Sequence, residues 1–482
     1  MRLPFAIATF LVSLCGCGSE EATPIAPLDP HPDIFVVVMD TVRADKLSIY
    51  GYDKPTSPQL DAVAAAGITF DDVTAPSSWT WPSHASLFTG VDPWIHGAHC
   101  SSTTEGVGAD EGHMGLLPMR SDLPTIAERF RDQGYRTVSL ASNRFLDPKL
   151  GLTRGFEVAE VVQDNVLSDR VSEILNDGDE RPVFMFVNLL IAHAPWEVSP
   201  APWSQRHKER LSNPDLAPEW SHDFLMKESA GIDLYEVPEG AKSNGFRMLQ
   251  SDQLSIPESD MEMVEDLYTG GLVAADYLLN RMLSHWTAKK PEGVVAITSD
   301  HGEYLGEHGL WEHGKTVYPQ VLKVPLLIAA PGRLPAKKRV RTPVQMHDLH
   351  DTLIDLAGID GPTERSLVPI TEGKPRSGPI LAKAWASAAW KNEVGGRFAH
   401  DWTLYRDDRY ALVSASDGTR QLFNMKYDPR MVRDVAAEKP DKLKELSDKS
   451  DAAFPEHQSA SSQIEVSDDV IEDLKALGYI DR

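Results

Sequence analysis

"DIFVVVMD", residues 33–40, is a run of β-branched and large apolar side chains with no polar residue between its two aspartates. A strand that meets solvent on one face alternates apolar with polar residues, whereas a strand covered on both faces is apolar throughout. The stretch is therefore read as a central strand of a parallel sheet. Its terminal carboxylate, Asp40, falls where ligand residues sit in such sheets, beyond the carboxyl end of a strand.

The design recurs at "RPVFMFVNLLIAHAPW" (181–196), an apolar strand ending near His193, and at "EGVVAITSDHGE" (292–303), which ends in Asp300 and His301. Between the strands lie helical patterns: "SPQLDAVAAAG" (57–67), "LPTIAERFRDQG" (123–134) and "EMVEDLYTGGLVAADYLLNRMLSHW" (262–286). The first two close on a Gly of the kind that ends helices. Strands alternating with helices predict an α/β fold with a large, mostly parallel central sheet flanked by helices. From about residue 375 the chain turns to short strand-like pieces and a closing helix, "DDVIEDLKALGYIDR" (468–482). We read residues 33–374 as the main domain and 375–482 as a small α+β subdomain. Residues 197–260, polar and punctuated by Pro, read as an insertion or lid beside the site.

Of the 482 residues 41% are apolar and 25% charged, a globular composition. The formal net charge is −25 with no long Lys/Arg block, which argues against nucleic acid as a partner. An anionic substrate has to be drawn in by local cations or a metal against this field. The start, "MRLPFAIATFLVSLCGCGSE", carries Arg2, an apolar run from Leu3 to Leu14 and then small residues, as a signal peptide does, and is too short to span a membrane. Leu14-Cys15-Gly16-Cys17 resembles the bacterial lipobox, which implies that residues 1–17 are a lipoprotein signal and that Cys17 is lipidated. The expectation is an exported, membrane-anchored lipoprotein, periplasmic or in the outer membrane, with residues 18–32 as a flexible tether. Cys100 is then the one further thiol, so no intramolecular disulfide is expected.

Asp40, Asp300 and His301, brought together at strand ends, make a hard-to-borderline donor set that suits Mn, Zn or Mg better than a thiolate metal. An Asp after a strand is also a common helix cap; two strand ends with carboxylates, one followed by His and Gly, favour the metal site. In "SSWTWPSHASL" Pro82 sits in the first turn of a helix through Ala85 and Leu87. Thr80 is either the N-cap of that helix or a hydroxyl whose pKa is lowered at its positive end beside a metal. "DHGEYLGEHGLWEHGK" (300–315) is too rich in Gly for a core helix or strand. It reads as a loop around a polar centre, with His308 and Lys315 able to bind or protonate oxyanion oxygens.

These stretches, with "VVVMDTVRADKLSIYGY", "PSHASLFTGVDPWIHG", "AHAPW", "VYPQVLKVPLLIAAPG" and "LKALGY", together resemble the sulfatase family of the alkaline phosphatase superfamily from about residue 33 to the end. The resemblance implies an alkaline-phosphatase-like sandwich and one divalent metal (Mn, Zn, Ca or Mg) on Asp40, Asp300 and His301. It implies Thr80 as nucleophile, His193 and Lys315 contacting the anionic group and protonating the leaving oxygen, His308 in the pocket wall, and Asn143 as a polar contact to substrate. Two departures stand out. Active sulfatases of the family carry Cys or Ser at the position of Thr80, converted to formylglycine, with Arg at the position of His84; here neither is present, so no formylglycine is expected and His84 is assigned with Asn143 to substrate binding. Thr41 replaces the second acid of the usual Asp-Asp pair.

The altered set resembles lipoteichoic acid synthases and phosphoethanolamine transferases, which use a Thr nucleophile with an acidic residue and an Asp-His pair around Mn or Zn. A direct Thr attack on sulfate would leave a stable sulfo-threonine. The expected function is thus a metal-dependent hydrolase of anionic esters, phosphoesters first and sulfate esters second, on a sulfated or phosphorylated glycan, lipid or small molecule. The alternatives are a sulfatase that works without formylglycine and a non-catalytic glycan-binding lipoprotein.

Overall fold

All six residues of the strand Ile34–Met39 (β1) are buried in the computed structural model, which describes residues 29–100, 116–194, 196, 199–213, 218, 255–386 and 399–454. Ile34, Val36 and Val38 point into one apolar core, and Phe35, Val37 and Met39 into another, as the two-residue period of a strand requires. The continuous apolar run is thus a strand covered on both faces.

The other strands of the sheet are Ile68–Thr74 (β2), Arg136–Ala141 (β3), Val158–Val161 (β4), Val183–Leu189 (β5), Val294–Thr298 (β6), Lys323–Ala329 (β7), Lys338–Val340 (β8) and Val344–Gln345 (β9). Their order is β8-β2-β7-β6-β1-β5-β3-β4, with β9 also on β2. Every pairing is parallel except those of β7, which runs antiparallel to both β2 and β6. The expectation of a mostly parallel sheet holds. Because β7 reverses direction, the connection 299–322 leaves the sheet and returns to it at the same end.

One face is covered by helices Leu60–Ala66 (α1), Asp164–Leu175 (α4) and Met261–Lys289 (α5), the other by Thr80–Thr89 (α2), Ile126–Asp132 (α3) and Asp348–Ala357 (α6). The Thr125 and Glu128 capping box starts α3, as its sequence dictates. Gly67 follows α1 for a different reason from helix-end chemistry. Its φ is −147°, and a Cβ there would lie 2.1 Å from the carbonyl oxygen of Ile328, so it is the close pass of α1 over β7 that requires Gly.

The C-terminal lobe is a four-stranded antiparallel sheet, Ile380–Ala384 (β10), Trp402–Arg406 (β11), Tyr410–Ala415 (β12) and Arg420–Asn424 (β13), with the helix Pro440–Ala453 (α7). The Arg406 guanidinium meets the Asp72 carboxylate of β2 through two hydrogen bonds, and Tyr318 donates to Gln421. The expected signal peptide with Cys17, the expected tether up to residue 28, residues 197, 198, 214–217 and 219–254 of the expected lid and the helix expected at 468–482 lie outside the described residues. Among the described residues no helix is long and apolar enough to cross a membrane.

Candidate active site

β1 and β6 are neighbours, so Asp40, one residue past β1, and Asp300, two past β6, meet at the same end of the sheet. Each carboxylate has one oxygen saturated and one left over. Asp40 Oδ2 accepts from Asn143 Nδ2 (2.8 Å) and Asn188 Nδ2 (3.4 Å), while Oδ1 has no hydrogen-bond partner. Asp300 Oδ1 accepts from the backbone N–H groups of His301 (2.9 Å) and Thr41 (3.4 Å), while Oδ2 has none. The His301 Nδ1 is taken by the Gly302 carbonyl (2.9 Å), which leaves Nε2 facing the site. Nε2 lies 3.8 Å from Asp40 Oδ1 and 3.4 Å from Asp300 Oδ2.

Donor atoms of these three residues fall within 4.8 Å of one another, and all three side chains are buried. Two hard oxygens and one imidazole, with orphaned oxygens turned inward, fit a divalent cation. The electrostatics agree. Burial, then the Asp300 charge, raises the Asp40 carboxyl; burial pushes Asp300 up to about 7 and His301 down to about 4. Two buried carboxylates resist their own ionisation until a positive charge joins them.

Thr41 stands at φ +58°, a strained region for a β-branched residue. Its hydroxyl donates to the Asp40 carbonyl and its own carbonyl accepts from Tyr268 Oη. It therefore shapes the turn and supports Asp300 through its N–H.

Thr80 is the first residue of α2, and the N-cap is Trp79. The Thr80 hydroxyl makes no cap; Oγ1 lies 3.1 Å from His301 Nε2 and also reaches the Asp300 carboxylate. The N-cap reading of Thr80 is therefore not borne out; its hydroxyl lies with His301 and Asp300. Every residue of α2 is buried, and its C-terminus closes on Gly90 at φ +74°.

His84, one turn along α2, is fully buried, with Nδ1 3.0 Å from the Thr80 carbonyl and 3.5 Å from Asp300 Oδ2, and its ring against Phe186 and Phe88. It backs the site from beneath, and burial pushes its pKa down to about 3. Asn143 is likewise fully buried and seated on Asp40. The sequence assigned both to substrate; the structure places both behind the carboxylates.

"EHG" occurs twice in the loop 300–315, at 307–309 and 312–314. The first copy turns away: the His308 ring is exposed and stacks on Tyr318 at 4.3 Å. The second comes home, because Tyr304–Leu305 pairs with Trp311–Glu312 and carries the chain back. The His313 ring lies 4.3 Å from that of His301 and 5.0 Å from that of His193, with Nδ1 3.0 Å from Glu303 Oε1. Sequence reasoning missed His313 and Glu303; the repeated "EHG" was the available signal. Lys315, its side chain 3% exposed, bonds Glu312 at 2.7 Å, and its charge acts on Glu303 and His313. His193 is half-buried, its Nδ1 held by the Ala194 carbonyl.

The Sulfatase family matches residues 32–359, and the family described as N-sulphoglucosamine sulphohydrolase, C-terminal, matches residues 306–452. The chain is 22% identical over 478 residues to a sulfatase of Formosa agariphila, covering 87% of this chain and 86% of that one. Its structure superimposes on a solved protein bound to its substrate D-glucosamine-2-N,6-O-disulfate with a TM-score of 0.66 at 17% identity, covering 91% and 100% of the two chains. It also matches a phosphonate monoester hydrolase of Agrobacterium radiobacter with a TM-score of 0.63 at 18% identity, covering 87% and 94%. The chain belongs to the sulfatase family, ester hydrolases of the alkaline phosphatase superfamily.

Proposed function

We propose that this protein hydrolyses anionic esters with Thr80 as the nucleophile, phosphate esters ahead of sulfate esters. The observation that carries the reading is Thr80 Oγ1 at the start of α2, 3.1 Å from His301 Nε2 and in reach of the Asp300 carboxylate. Those three residues would hold one divalent cation, which when bound lowers the pKa of a neighbouring hydroxyl and neutralises ester oxyanion charge. The helix N-terminus adds partial positive charge at the same place.

Thr80, its proton lost to solvent, attacks the central atom of the ester; the bond to the leaving oxygen breaks, and that oxygen takes a proton from the imidazolium of His193. The same imidazole then accepts a proton from the water that frees Thr80. Asn143 and Asn188 hold Asp40 in place, and Lys315 supplies positive charge for the anion. Phosphorus is favoured because a phospho-threonine yields to water, whereas a sulfo-threonine lacks the elimination route that a formylglycine hydrate offers. The sulfatase relatives favour a sulfate ester as the second reading, and the disulfated sugar bound by a structural neighbour supports a glycan substrate.

The test is turnover of aryl phosphate, bis-aryl phosphodiester and aryl sulfate with Mn, Zn, Mg or Ca, beside Thr80→Ala. Phosphoester turnover abolished in the variant is expected; turnover that survives Thr80→Ala would sink the nucleophile assignment, and no turnover on any ester would leave a glycan-binding protein. We also propose that Cys17 is lipidated and anchors an exported chain, so labelled palmitate should enter the wild type and not Cys17→Ser.

A further inference from the structure

The structure assigns a second anion site, an exosite for a sulfated saccharide chain, to the groove between the edge of the main sheet and the C-terminal lobe. It rests on the anionic-ester reading and extends it to a polymeric substrate. The groove is open to solvent, holds about 500 Å³ and is lined by Arg341, Arg406, Arg409 and Lys426, with Asp72 and Asp408 the acidic residues among its walls. Such an excess of positive charge is notable in a chain of net charge −25.

The cations differ in how far they are already used. Arg341, its side chain 92% exposed, has one distant carboxylate, Asp71, at 3.8 Å. Arg409 and Lys426 have no ion pair among the described residues; their charges lie over the rings of Tyr410 (5.4 Å) and Tyr427 (5.5 Å). Arg406 forms the floor, bound to Asp72 through Nη1 and Nη2, and its buried Nε has no hydrogen-bond partner. Guanidinium and ammonium groups left unpaired in a concavity are donors for a sulfate. Tyr427, 72% exposed, adds a flat apolar face beside them, suited to sugar C–H groups.

Position favours the same occupant. Asp72 is on β2, two strands from β6 and so about 10 Å across the sheet from the strand that delivers Asp300. The carboxyl end of β2 leads within six residues of Thr74 to Thr80. A chain whose reacting end lies at Thr80 can place its distal residues here. Three uncommitted cations are few for a nucleic acid backbone.

The charge-reversing pair Arg409→Glu/Lys426→Glu tests the site, with Lys208→Glu/Lys289→Glu as a control of equal charge change on exposed residues elsewhere. Binding is read by titration calorimetry with dextran sulfate, neutral dextran and phosphatidylglycerol vesicles, at low and raised salt. The expectation is salt-sensitive binding of dextran sulfate, none of neutral dextran, and an affinity loss of roughly tenfold in the groove variant but not the control. Equal affinity in both variants, no binding by the wild type, or groove-dependent binding of vesicles alone would overturn it. The readout needs no turnover, so inactivity on aryl esters would refute the catalytic reading and leave this one standing.

Discussion

Asp300→Asn is expected to make the cation-free protein more stable and the cation-loaded protein less so. Asp40 and Asp300 are 0% and 1% exposed, and their inward oxygens lie within 4.8 Å. At an effective dielectric of about 20, two unit charges at that separation repel by about 3 kcal/mol. Asn keeps the shape, still accepts from the N–H groups of His301 and Thr41, and turns an NH2 toward His301 Nε2, 3.4 Å away. In chelator at pH 8 the variant should therefore unfold at higher urea, by about 2–3 kcal/mol. At a cation concentration a hundredfold above Kd the wild type gains about 2.7 kcal/mol, and the variant, short of one ligand, gains far less. Urea titrations followed by Trp fluorescence, with chelator and with Mn, should show the two proteins exchange rank. A variant less stable than wild type in chelator, or a wild type indifferent to every divalent cation, would refute the reasoning.

His96, fully buried, has its pKa pushed down to about 3, by burial first, while the unfolded value is near 6.5. The unfolded chain binds the proton first, so this contribution is complete above pH 6.5 and is lost as pH falls toward 3, about 2 kcal/mol by pH 5. His96→Gln should flatten the urea midpoint between pH 6.5 and 5 by one proton's worth of slope. Gly67→Ala forces a Cβ to within 2.1 Å of the Ile328 carbonyl and should cost about 2 kcal/mol or more, seen as a lowered melting temperature. His313→Gln, which removes the ring packed between His193 and His301, should lower kcat on an aryl phosphate ~100-fold. His308→Gln, away from the cluster, should leave kcat within about threefold.

What the sequence declares is what short-range physics determines. Apolar runs ahead of Asp40 and Asp300 announce buried strands and their active ends, because a short, β-branched run bounded by polar residues suits a strand covered on both faces better than a helix. Thr80 and Pro82 announce a helix start, but not on which side of the first turn the hydroxyl falls; one residue separates a cap from a group aimed at His301. Identical "EHG" triplets cannot be ranked by their own composition, since the two-residue ladder of Tyr304–Leu305 with Trp311–Glu312 decides which histidine returns. Asn143 and His84 carry the right chemistry for a substrate contact; only the sheet order β1-β5-β3, and the packing of α2 over the sheet, turns them inward.

The reversed strand β7 has a consequence for how such a protein can diversify. Since the segment 302–322 departs and returns at one end of the sheet, its length is decoupled from the register of the strands: Thr298 stays opposite Leu326 whatever lies between them. Doubling a closed loop costs only about 0.6 kcal/mol in chain entropy. Residues of this segment that face the ester can therefore be inserted, deleted or exchanged as a cassette, at an expense the folded scaffold barely registers, while Asp40, Asp300 and His301, which precede it, stay where the strand ends put them.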